Sequence, residues 1–229
     1  MSETKAALYM GKDRRPMVLV PAGEFLAGED RAKASVGAFY IDRFPVTNAD
    51  YKKFVEAMHW EEPAHWRRGT WPEGKADHPV VQIIWESAAA YAQWAGKRLP
   101  TEEEWEKAAR GTDGRVWPWG NAFIKERCNT SETGIWDTTP VGKYSPVGDS
   151  PFGAADMAGN VWEWIGGKPS SLRMPLRGGD WLDDGSQATT FYRRMHTPKR
   201  KNDFIGFRCA VDGMTQLEAY LAGSAGAGA

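Results

Sequence analysis

The chain has 229 residues, 41% of them hydrophobic and 26% charged, with a formal net charge of −1. That length fits one large domain or two small ones, either with a sizeable core. A charge this near balance gives no electrostatic reason to expect nucleic acid or an anionic membrane as partner, and no apolar run approaches the roughly 20 residues of a membrane helix.

Residues 1–15, MSETKAALYMGKDRR, are polar and are expected to be loose. They carry no apolar stretch of signal-peptide length, so the expected compartment is the cytoplasm and no membrane insertion is expected. MVLVPAGEFLAG (17–28) reads as a strand, a Pro-Ala-Gly turn and a second short strand. VGAFYIDRF (36–44) has the β-branched and aromatic residues of a half-buried strand. Thr47 and Asp50 then resemble a capping box with Asp in place of Glu. The helix they open carries Tyr51, Phe54, Val55 and Met58 on one face. After a loop bearing Trp60, Trp66 and Trp71, HPVVQIIW (78–85) reads as a short strand. It leads into a helix with Ala90, Tyr91 and Trp94 on one face and Gly96 at its stop. In KRLPTEEEWEKAARG, Thr101 and Glu104 stand in capping-box register, acids precede bases, and Gly111 ends the helix. Capping explains these glutamates better than catalysis does.

Beyond residue 111 helical periodicity stops. Short strands are expected at 160–167, 175–181 and 206–211, and the tail MTQLEAYLAGSAGAGA opens with a possible helical turn before dissolving into Gly, Ala and Ser. The order of elements is that of a single α+β domain over residues 16–212, with a tail at 213–229. Twelve tryptophans imply a core of large aromatic wedges among loops. Two cysteines, Cys128 and Cys209, form no Cys-x-x-Cys, and the four histidines show no metal-ligand spacing.

Seven segments then stand in a fixed order: MVLVPAGEFLAG, FYIDRFPVTNADYKKFVEA, HPVVQIIWESAAAYAQWAGKRLPTEEEWEKAARG, WPWGN, GAADMAGNVWEWIGG, LRGGDW and FIGFRCA. Together, from Met17 to Val211, they resemble the formylglycine-generating enzyme family, whose sulfatase-modifying-factor domain is a variant of the C-type lectin fold. The resemblance implies a loop-rich fold with short antiparallel strands and a few helices. Active members use copper and two cysteines just after the Arg-Gly-Gly segment. Without gaps those places fall near Asp183 and Ala188, neither a cysteine. Lacking soft thiolates, the chain is not expected to hold copper that way. Nor is iron expected, because relatives with nonheme iron draw their histidines largely from an additional domain. Cys209 matches a structural position whose usual partner falls at Ala92, so it reads as a buried thiol.

The resemblance extends to the variable proteins of diversity-generating retroelements, which display a ligand-binding surface near the C-terminus with codons varied at adenines. Here the equivalent surface comprises Asp180, Trp181, Leu182, Asp183, Asp184, Ser186, Phe191, Tyr192, His196, Asp203 and Phe204. All except Trp181 are reachable from AAC or AAT by changes at adenine, a wide set that excludes little. Aromatic residues would supply contact area and the acids polar specificity. The plainer alternative is a solvated turn at 182–186 and a core Trp181. Arg177, Gly178 and Gly179 read as scaffold. Family members often bind calcium. The resemblance places one site at Asn160 and Glu163, and a second at Asn129 and Asp137, where the spacing departs from relatives. Two functions follow as expectations: a non-catalytic binder of an unidentified protein, carbohydrate or small molecule, and an oxidoreductase with a divergent active site.

Overall fold

The computed structural model describes residues 8–168 and 171–213, with side chains from residue 11 onward. Its elements are β1 (Leu8–Met10), β2 (Arg15–Val20), β3 (Gly23–Ala27), β4 (Ala32–Val36), β5 (Phe39–Asp42), α1 (Asn48–Met58), α2 (Trp85–Trp94), α3 (Glu102–Arg110), β6 (Trp162–Trp164), β7 (Met174–Arg177), β8 (Arg193–His196), β9 (Ile205–Gly206) and β10 (Ala210–Asp212). One antiparallel sheet runs β1-β2-β5-β10 and joins the two ends of the domain; β3 and β4 pair with each other. A second sheet runs β8-β7-β6-β9, parallel only at the β6–β9 contact.

The helices form where local chemistry dictates. Thr47 Oγ1 accepts the Asp50 N–H at 3.2 Å. At α3 the box is complete: Glu104 N–H donates to Thr101 Oγ1 at 3.2 Å and Thr101 N–H to Glu104 Oε2 at 2.9 Å. Gly111, at φ 73°, ends that helix. Tyr51, Phe54 and Val55 are buried on α1, whereas Met58, expected on the same face, is 51% exposed in the last turn. There the chain departs through His59 in the left-handed region.

Two cores result. Between α1, α2 and the second sheet lie Tyr51, Phe54, Tyr91, Trp162, Trp164, Leu176 and Phe207. In it Tyr51 and Tyr91 stack at 5.8 Å, and Phe207 meets Tyr91 edge-on at 5.3 Å. Ala92 and Cys209 share this core, the cysteine as a free thiol. In the second core, Trp105, Ala108 and Ala109 of α3 pack on Val20, Phe39, Ile41 and Ile165. The buried indoles each donate to an acceptor: Trp66 to Asn48 Oδ1, Trp85 to the Ile165 carbonyl, and Trp164 to the Ile83 carbonyl.

Two sequence expectations change. The segment 1–15 is not loose at its end: Asp13 and Arg15 are buried, and the Lys97 ammonium lies 2.8 Å from both Asp13 and Asp42. Tyr91 Oη donates to Asp13, and Arg15 pairs with Asp50. These charges enter the interior only because each has a partner of opposite sign. Residues 78–85 form no strand; Pro79 makes an isolated bridge to Thr47, and Gln82 sits at φ 56°. Val80, Val81 and Ile83 are apolar because they are buried, and a short apolar run looks the same in a strand or a buried loop. The tail from residue 214 lies outside the described residues.

Candidate functional site

β7 delivers the chain to the site through Arg177, whose guanidinium meets Glu102 at 3.2 Å and Glu106 at 3.3 Å and donates to the Phe191 carbonyl at 2.8 Å. Gly178 and Gly179 follow at φ 102° and 74°. A Cβ on Gly179 would stand 2.9 Å from the Ala188 Cα, so glycine lets the two limbs of the loop touch.

Asp180 is 1% exposed, and its Oδ1 accepts the N–H groups of Leu182 (2.7 Å) and Asp183 (2.9 Å), folding the turn on itself. Burial, with the nearby Asp183 charge second, raises its carboxyl to about 6. Asp183 braces the loop from below. Its Oδ2 accepts Trp162 Nε1–H at 2.7 Å, its Oδ1 takes Arg194 at 3.1 Å, and its carbonyl accepts Ser131 N–H at 3.0 Å. The Arg194 guanidinium lies 4.6 Å above the Trp162 ring and also donates to Gln187 Oε1 at 2.5 Å. The Tyr192 ring lies 6.0 Å from the same indole.

Gly185 is pinned on three sides: its N–H donates to Glu132 Oε1, its carbonyl accepts Trp117 Nε1–H, and Phe123 leaves no room for a side chain. Asp184 faces solvent and accepts from Ser186 N–H and Oγ, which lowers its carboxyl. Ala188 is fully buried beside Cys128 and Ala158.

The predicted residues divide into groups. Asp183 meets both Trp162 and Arg194, Tyr192 meets Trp162, and Asp180 joins them through the Asp183 N–H. Leu182 (46% exposed), Asp184 and Ser186 point outward from the loop. Half-buried Trp181 directs its indole N–H toward the Asp203 carbonyl at 3.5 Å, and Asp203 accepts from Gln82. Phe204 packs on the first core. Phe191 turns away to lie 5.4 Å from Arg110, and His196 ends β8 with its Nδ1 accepting Thr197 N–H. Trp162, Arg194, Gln187, Glu132 and Gln82 belong to the site but were not foreseen. The cationic Arg193-Arg194 pair was the available signal. A cleft of about 460 Å³ lies between α2 and Pro198–Lys199, walled by Trp60 and Trp85; none of the predicted residues lines it.

Neither expected calcium site fits its residues as arranged. Asn160 Oδ1 accepts from Thr139 N–H and Asn129 Nδ2, while its Nδ2 donates to the Thr139 carbonyl. Both Glu163 oxygens face cationic or N–H donors: Arg208 Nη2 at 2.8 Å on Oε1, and Arg208 Nε (2.8 Å) and Trp105 Nε1 (2.7 Å) on Oε2. At the second position the Lys75 ammonium takes Asp137 Oδ2 at 2.7 Å, and Asn129 Oδ1 accepts Thr133 Oγ1–H. In each case a protein cation or a hydrogen-bond donor already meets the oxygens a calcium ion needs. Among the described residues no three His, Cys, Asp or Glu side chains cluster where they could hold one metal ion.

These observations define a lectin-type scaffold that carries a braced, outward-facing loop after its Arg-Gly-Gly turn. The chain belongs to the formylglycine-generating enzyme family: the model for the sulfatase-modifying factor enzyme 1-like domain matches residues 6–213. The mouse protein named "Inactive C-alpha-formylglycine-generating enzyme 2" is 35% identical over 89% of this chain and 88% of its own. A formylglycine-generating enzyme of Streptomyces coelicolor is 31% identical over 88% and 90%. Among solved structures, Treponema denticola variable protein 1 superposes with a TM-score of 0.74 at 20% identity, covering 86% of this chain and 95% of that one. The family thus holds both active enzymes and a relative named as inactive.

Proposed function

We propose that this chain is a non-catalytic ligand-binding protein whose face is built on residues 180–204. The observation that carries the reading is Asp183. It stands where the resemblance puts a catalytic cysteine, and both its oxygens are committed to Trp162 and Arg194. Ala188, at the other cysteine position, is buried and has no reactive group. Cys128 and Cys209 do not replace them, since burial raises both thiols, Cys128 to about 12. Loops on a rigid scaffold are where binding residues collect. Leu182, Asp184, Ser186 and Tyr192 offer the apolar and polar groups that a protein, carbohydrate or small-molecule ligand would meet.

The finer form of the proposal is a variable protein of a diversity-generating retroelement. Support comes from the shared scaffold; the adenine-reachable set covers most residue types and only fails to exclude this form. A near-copy of codons 177–208, differing mainly at adenines and lying beside a reverse transcriptase gene, is the expected finding; its absence rejects this form and leaves binding intact. The enzymatic test is separate. Purified protein offered copper or iron, oxygen and a cysteine-bearing peptide is expected to consume no oxygen, and metal-dependent turnover would overturn the proposal.

A further inference from the structure

β8 is the outer strand of its sheet; among the described residues no strand pairs with its far side. The ladder fixes which groups face outward. Ile165 N–H donates to the Pro175 carbonyl, so the Pro175 backbone faces β6, and Met174 and Leu176 face β8. Their partners His196 and Arg194 therefore point inward, and Arg193 and Met195 direct their N–H and C=O groups away from the sheet. One of these, the Met195 carbonyl, accepts Arg173 Nη2–H at 2.9 Å.

The strand and the turn after it carry cations only, although carboxylates of other elements stand beside four of them: Glu102 at Arg193, Asp183 at Arg194, Glu86 at Lys199 and Glu61 at Lys201. Between Asp184 and Asp203 the chain carries Arg193, Arg194, Lys199, Arg200 and Lys201 and no carboxylate, although the whole protein is near neutral. The guanidinium of Arg173 reaches a carbonyl and that of Arg200 the Asn202 amide oxygen, so both meet neutral acceptors. Burial and then the charges of Arg200, Arg173 and Arg194 hold the His196 imidazole below its usual range.

We propose that this edge binds an acidic polypeptide in extended form, which pairs beside Arg193–His196 and lays carboxylates against Arg173, Arg193 and Arg200. Strand addition supplies affinity through the backbone, and alternate side chains supply selectivity. Cationic side chains on an edge strand also serve to prevent self-pairing. Here they exclude a second copy of the chain, whose own arginines would stand opposite. An acidic strand turns the same charges into attraction. The inference rests on the reading of 180–204 as a binding face and names the class of partner.

The test is fluorescence anisotropy of the full chain with a labelled ten-residue peptide alternating Glu and Val. Binding is expected to weaken markedly between about 0.05 and 0.5 M salt, over which the screening length falls about three-fold. The R173E/R200E variant is expected to lose about ten-fold or more in affinity. M195P removes an outward N–H while leaving the β7 ladder intact, and should lose about ten-fold; should it not fold, the charge reversal alone decides. Equal affinity for a Ser-Val peptide, or for an oligonucleotide of equal charge, overturns the proposal. So does a folded M195P that binds like the parent. If the acidic peptide fails while a ligand selected on loop 182–186 still binds, the partner class is wrong and the binding face stands. Metal-dependent oxygen uptake would reject the face as non-catalytic without touching the edge.

Discussion

Replacing Glu163 with Gln tests how the interior holds its charges. Glu163 and Arg208 are both buried, joined by two 2.8 Å contacts, with Trp105 as a third partner. Glutamine keeps the shape and one acceptor oxygen but removes the countercharge. Arg208 is then left with the carbonyls of Asp42, Arg43, Ala155 and Asp156. Breaking a buried pair in this way costs about 3–5 kcal/mol. For a domain of this size each kcal/mol moves Tm by about 2–4 °C, so E163Q is expected to melt roughly 6–20 °C below the parent. Scanning calorimetry with and without EDTA is the assay. If Arg208 is the partner, the parent's Tm is insensitive to EDTA and to added calcium, and E163Q carries the whole loss. A parent that loses several degrees in EDTA, together with an E163Q variant that no longer responds, would refute the ion-pair assignment and restore Glu163 as a calcium ligand.

The Asp180 carboxyl sits at about 6, above its unfolded value of 3.8, so its contribution is fully present below pH 4 and is lost as pH rises through 6. D180N, which keeps an acceptor for the Leu182 and Asp183 N–H groups, should melt above the parent at pH 7.5; the difference should vanish near pH 4, and a gap independent of pH would contradict this. G185A forces a Cβ to 2.5 Å from the Phe123 ring and is expected to cost about 1–3 kcal/mol in urea unfolding. An unchanged midpoint would show that the loop yields freely. Both thiols should be silent to a disulfide reagent in the native state and react fully in denaturant; rapid native labelling of either would contradict the burial assigned to it.

Much of the fold was written in short-range signals. The Thr101–Glu104 box places α3, and Gly111 ends it at a left-handed φ. The seven ordered segments carry the scaffold. What stayed hidden was long-range pairing. The strand expected at 160–167 forms over Trp162–Trp164, but its burial on both faces was not legible: alternation suggests an outward Glu163, which instead meets Arg208 in the interior. Asp13 reads as a polar tail residue until Lys97, 84 positions away, is seen to hold it. In the site, the sequence identified the loop but misread its acids as one group. Asp180 folds the turn, Asp183 braces it and Asp184 alone faces water. The distinction rests on Trp162 and Arg194, whose approach depends on the register of three strands.

That division of labour makes the loop separable into a frame and a display. Asp180, Asp183, Gly185 and Ala188 fix the backbone from the protein side, while Leu182, Asp184 and Ser186 alternate with them toward solvent. Substitutions at the three outward positions change the chemistry presented without touching a contact that holds the turn, apart from the local Asp184–Ser186 bonds. Variation at those three positions is therefore expected to leave the unfolding midpoint nearly constant, which is what the proposed binding face would need.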